Sequence, residues 1–196
     1  MMAALNSGPR GRLRTATHAA HARIDACFPR GLPHAADYRR YLLGMHAVVD
    51  ALERALGRAA LATPWQCWRK PERVQWLVDD LAALGAKPLE PGPGLPIGTA
   101  AEAAGALYVV EGSALGATQL LDDAHALGWS DGHGARFLHG HGGDGAGARW
   151  RDYVRCLETA RFDAEAEGAL FDAAARTFAY AEHEFLRAAR EGHADD

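Results

Sequence analysis

The sequence predicts an all-α, single-domain, multi-helix protein, and three observations lead there. Apolar residues recur at helical spacing along almost the whole chain. No segment alternates apolar and polar residues as a half-buried strand does. A chain of 196 residues, 48% hydrophobic and 23% charged, suits one core large enough to enclose a sizeable ligand. One domain is expected over residues 1–196, with flexible ends at 1–8 and 191–196.

The helices follow in order. The first starts at Pro9, a residue suited to an opening turn, and stops before Pro29. Tyr38, Tyr41, Leu42, Met45, Val48, Val49, Leu52 and Leu56 trace one face of a second, which ends near Gly57. A third starts at Pro71 and offers Val74, Leu77, Val78, Leu81 and Leu84 to the core before Gly85. The prolines of EPGPGLP, residues 90–96, make that stretch a connector. A fourth helix runs from Thr99 to Leu127. The glycine-rich stretch 128–147 then reads as a flexible loop with a short helical turn at ARFL. A fifth helix covers Arg149 to Ala160. The last starts near Asp163, a good N-cap, and presents Phe171, Ala174, Phe178, Ala181 and Phe185 on one face.

Composition excludes several classes of function. A net charge of −4 leaves no basic footprint for nucleic acid or an anionic membrane. Cys27, Cys67 and Cys156 are odd in number and lack any CxxC spacing, which fits reduced thiols better than disulfides or a zinc site. The opening MMAALNSGPRGRLR lacks a signal-peptide core, and no apolar run nears membrane-spanning length. A soluble cytoplasmic protein is expected.

Two patterns carry chemistry. The fourth helix contains GALYVVEGSALGATQLL with Gly112 and Gly116 one turn apart, although each glycine inside a helix costs roughly 1 kcal/mol against alanine. Something lying close to the backbone on that face would justify the cost, and tight helix packing is the competing explanation. The first helix contains LRTATHAAHARID, where Leu13, Thr17 and His21 share a face and Arg14 lies two turns before His21. An imidazole on one helix and a bare backbone on another are what a flat macrocycle between helices requires.

LYVVEGSALGA (107–117) and LRTATHAAH (13–21) resemble the biliverdin-producing haem oxygenases, particularly the branch associated with bacteriophytochromes; RVQWLVDDLAALG (73–85) and residues 150–158 extend the likeness. The resemblance implies a haem-oxygenase-like bundle that binds haem as both substrate and cofactor and opens it to biliverdin, carbon monoxide and ferrous iron. It makes His21 the axial iron ligand, and it puts Gly112, Ser113 and Gly116 on the distal, catalytic side. Thr17 and Ala117 join the haem-contacting residues, Arg14 and Arg151 become propionate partners, and Phe178 packs on the ring edge. Arg149 is read as solvated surface. Two departures stand out: Ser113 replaces an aspartate of the animal enzymes, and Ala117 replaces the second of a glycine pair, where its methyl would crowd the distal face.

The chain has no flavin or iron–sulfur motif, so a ferredoxin or flavin reductase is implied as electron donor. A bacteriophytochrome is the implied acceptor of biliverdin, with iron acquisition an equally compatible purpose. His133, His139 and His141 offer an H-x-H pattern for zinc or copper, but their glycine-rich setting favours a solvated loop. Two alternatives stay open. One is a non-catalytic haem carrier or sensor. The other is a haem-free enzyme of the same fold, acting on a small heterocycle through Cys27, Cys67, Cys156 or Glu111.

Overall fold

The computed structural model describes residues 8–191, so most of the expected flexible ends lies outside the described residues. Seven α-helices follow one another: α1 (Pro9–Cys27), α2 (Ala35–Arg58), α3 (Glu72–Ala83), α4 (Ala100–Ala126), α5 (Arg136–Gly142), α6 (Ala146–Thr159) and α7 (Ala164–Glu191). Among the described residues no β-strand forms, and no helix is long and apolar enough to cross a membrane.

α7 is the central pillar, packing along α4, α2 and α1, while α5 and α6 lie against the flanks of α4. The core is filled by fully buried Leu13, Leu42, Leu52, Leu77, Leu81 and Leu107 together with Tyr38, Phe137 and Tyr153. Each such aliphatic side chain contributes roughly 1.5–3 kcal/mol by leaving water. The predicted face of α2 is buried throughout.

Local chemistry sets the ends of the helices. Thr99 and Glu102 form a reciprocal capping box that starts α4. Gly85, with φ of +67°, ends α3 as the Ala86 N–H reaches back to the Leu81 carbonyl at 2.9 Å.

Two expectations are corrected. The segment expected to be a loop contains α5, and α6 begins at Ala146, three residues early. In α3 the most deeply buried positions are Arg73, Leu77, Asp80 and Leu81, so two charged residues occupy the inner face and Val74 and Val78 are only half-buried. Asp80 explains why α5 exists. Its carboxylate accepts the backbone N–H groups of Arg136 (2.9 Å) and Phe137 (2.8 Å), which a free helix N-terminus would leave unpaired.

Candidate functional site

Along α1, the face through Leu13, Thr17 and His21 passes from core to opening. Leu13 and Thr17 are buried, whereas the His21 side chain is 65% exposed. Its Nδ1 lies 3.0 Å from Oδ2 of Asp25, one turn on. A carboxylate there accepts Nδ1–H and leaves the Nε2 lone pair for a ligand. The ring also packs 6.0 Å from that of Phe178 on α7, tilted by 59°. Phe178 is therefore core that backs the histidine. Asp25 was missed in the sequence, although its position four residues after His21 was the available signal.

The Thr17 hydroxyl donates to the Leu13 carbonyl at 2.7 Å and is near enough to the Tyr108 phenol of α4 to affect its ionisation. Burial pushes the Tyr108 phenol up, against the pull of Thr17 and the charges of Arg10 and Arg14. His21 follows Thr17 by one helical turn, and Gly112 follows Tyr108 by one helical turn. His21 and Gly112 therefore each lie about one helical turn beyond the place where Thr17 and Tyr108 face each other.

The three glycines of α4 separate by what faces them. A methyl group on Gly105 would sit 2.1 Å from the Leu170 carbonyl oxygen, so here the glycine permits the α4–α7 crossing. On Gly112 it would meet only the Trp150 ring at an ordinary 3.6 Å, and on Gly116 it would meet nothing within 4 Å. Helix packing explains Gly105 and leaves the other two unexplained. A flat ligand laid over Gly116, with the Trp150 ring bordering it at Gly112, fits that surface, as does the exposed Leu115 beside it.

Ala117 does not face this surface. Its methyl is buried against α5, where a Cβ on Gly142 would come within 2.7 Å of it, so crowding of the distal face by Ala117 is ruled out. Thr118 tightens the same junction by donating to the Gly142 carbonyl at 2.7 Å.

Ser113 points to α5 as well. Its oxygen is 2.8 Å from the Val110 carbonyl and 3.0 Å from Nε2 of His141. The hydroxyl can give its hydrogen to the carbonyl while accepting Nε2–H, or turn and donate to a bare Nε2. His141 is 1% exposed and stacks on Phe137, which corrects its reading as a solvated loop residue. Burial, reinforced by the Arg73 charge and opposed by Glu111, lowers its pKa to about 3, so the ring is neutral at physiological pH. Its Nδ1 is buried without a hydrogen-bond partner.

Beneath Ser113 lies a buried ion cluster. Glu111 is held by Arg73 (2.8 and 3.3 Å) and by Arg149 (2.6 and 3.0 Å). Burial alone would raise its pKa, but hydrogen bonds from Arg149 and the Arg73 charge keep it below the usual carboxylate range. Arg149 is thus a structural clamp, contrary to its reading as solvated surface. Glu111, doubly clamped, is not poised as a nucleophile.

Arg14 and Arg151 are both exposed, on helices that pack together, and neither is drawn into the core. His133 is exposed and packs on Trp129, while His139 Nε2 lies 2.9 Å from His125 Nε2. No group of three side chains able to hold a metal ion occurs among the described residues. Burial and the Glu182 charge push the Cys27 thiol up, the wrong direction for a nucleophile.

The comparisons with known proteins agree with this geometry. The family model described as Heme oxygenase matches residues 96–186, which span α4 to most of α7. No curated protein matches the chain in sequence. Among solved structures, the heme oxygenase from Neisseria meningitidis, known in NO- and CO-bound forms, superposes with a TM-score of 0.76 at 27% identity, over 93% of this chain and 92% of its own. The chain thus shares the fold of a haem oxygenase over nearly its full length, and its second half, from α4 to most of α7, resembles the Heme oxygenase family model.

Proposed function

We propose that haem binds between α1 and α4, with His21 Nε2 as the iron ligand and the Gly112–Gly116 backbone against the opposite face of the ring. The reaction is that of the family, oxidative opening of haem to biliverdin with release of carbon monoxide and ferrous iron. The observation that carries the site is the exposed His21 ring, its Nδ1 held by Asp25, on one helix, and the backbone left uncovered at Gly116 on another.

Haem supplies the iron that activates dioxygen. The protein's own residues do the rest. Asp25 holds the His21 tautomer, and the neutral imidazole binds iron without the strong electron push of a thiolate. The Ser113 hydroxyl, turned to His141 on α5, holds a movable proton next to Gly112 and passes it to the distal face through water, the part that the aspartate plays in the animal enzymes. Arg14 and Arg151 stand at the exposed rim as cationic partners for the propionates and so bias which ring edge meets the distal residues. Electrons come from a ferredoxin or a flavin reductase in the cytoplasm, and the product feeds a bacteriophytochrome.

Titration with hemin tests this reading. Wild type shows a saturable Soret band, and His21→Ala loses or shifts it. Addition of ferredoxin and its reductase under air replaces the wild-type band with the broad red absorbance of biliverdin. A Soret band that survives the reductant identifies a haem carrier instead, and absence of saturable binding ends the haem reading.

A further inference from the structure

A row of oxidisable rings leads away from the bare face of α4. The Trp150 ring lies against Gly112, 3.6 Å from where a methyl group there would sit. Trp150 stacks on Tyr153 with centroids 5.6 Å apart, and Tyr153 meets Trp68 edge-on at 5.3 Å. Trp68 is half-buried, and its indole lies near enough to the half-buried Cys156 to oppose the rise that burial gives that thiol. Cys67, next to Trp68 in the chain, is exposed.

We propose that Trp150, Trp68 and the Cys156 and Cys67 thiols form a hole-transfer route, which carries oxidising equivalents from the haem site to the surface. The inference rests on the haem site proposed above. Haem chemistry with dioxygen yields a strong oxidant whenever the O–O bond breaks before the ring is attacked, and such an oxidant otherwise damages the site.

The rings have different parts in this route. An indole loses an electron without first losing a proton, so Trp150 and Trp68 serve as stopping points. A phenol needs a base to take its proton. The Tyr153 hydroxyl is buried and donates to the Ala104 carbonyl at 2.5 Å, which is no base, so Tyr153 is a bridge and not a stop. The Arg149 guanidinium 5.1 Å over Trp68 disfavours positive charge on that ring, and the Glu111 carboxylate, shared with Arg73, offsets part of that cost.

The electrons balance stepwise. Trp150 gives one electron to the oxidised haem and is refilled from Trp68, which is refilled from a cysteine sulfur. The thiol proton leaves to water, and the sulfur radical takes a hydrogen atom from a small-molecule thiol.

The test uses the hemin complex and one equivalent of an organic peracid, which oxidises haem by two electrons and becomes the carboxylic acid. Rapid-freeze electron paramagnetic resonance and peptide mass spectrometry read radicals and oxidised residues per bound haem, with haem-free protein under the same peracid as background. Wild type is expected to show a tryptophan radical and oxidation at Trp68, Cys67 and Cys156 well above background. Trp150→Phe lowers oxidation at those three positions several-fold. Trp68→Phe strands the hole and raises oxidation of Trp150, whereas Tyr153→Phe leaves the route intact. Unchanged thiol oxidation in Trp150→Phe overturns the inference, as does a tyrosyl radical in wild type together with loss of transfer in Tyr153→Phe. A missing Soret band at the outset would instead mark failure of the haem site itself.

Discussion

The Ser113 hydroxyl and the buried His141 ring meet at 3.0 Å across the junction of α4 and α5, which ties α4 to a segment that looks like loop in the sequence. If the pair holds the proton for dioxygen activation, Ser113→Ala should keep the Soret band and slow ring opening by roughly 10²-fold, the scale of a positioned acid–base group. His141→Gln, which retains a donor, should lose less. The double variant should be no slower than Ser113→Ala alone, because the two act as one unit. Single-turnover rates with bound hemin check all three.

His141 also predicts a pH dependence of stability. Its folded pKa, about 3, lies below the unfolded value near 6.5, so the unfolded chain binds more protons between those limits. The contribution is complete above pH 6.5 and is lost as pH falls toward 3, with a limiting slope of about 1.4 kcal/mol per pH unit. Denaturant titrations across pH 4–7 should show a shallower slope for His141→Gln than for wild type. Equal slopes would mean that the ring is not buried in its neutral form.

Glu111 is shared by two arginines, one of them 3% exposed. Glu111→Ala should cost about 3–5 kcal/mol, since it strands a buried guanidinium. Urea unfolding of the variant measures this, and a loss under 1 kcal/mol would show that water already solvates the cluster.

The glycines of α4 offer a paired test. Gly105→Ala drives a methyl into the Leu170 carbonyl and should be strongly destabilising. Gly116→Ala meets no atom and should leave stability equal or raise it by up to about 1 kcal/mol through helix propensity. If the bare face seats haem, that same variant binds hemin more weakly. Thermal melts and hemin titrations on both proteins separate the two roles, and unchanged hemin affinity in Gly116→Ala would remove Gly116 from the site.

Much of the architecture is local and was therefore readable in the chain. Helical spacing of apolar residues marked six of the seven helices, because an amphipathic face must be buried for a helix of ordinary length to persist. Periodicity also placed Leu13, Thr17 and His21 on one face, and Gly112 and Gly116 one turn apart. What periodicity cannot state is which neighbour a face meets. Gly105, Gly112 and Gly116 look equivalent in sequence, yet only the first is pressed against another backbone.

The sequence by itself determined an all-helical domain, a histidine sharing a face with Leu13 and Thr17, and a fourth helix with glycines one turn apart, since each depends on residues within two turns of one another. Only the tertiary structure decided that Asp80 caps α5 across 56 residues, that α5 then buries His141 beside Ser113, that Ala117 turns to Gly142, and that Arg149 clamps Glu111. The physical reason is the same in each case. The charge state of a buried group and the contacts of a small one depend on atoms brought in from distant segments, and no local pattern in the chain encodes those atoms.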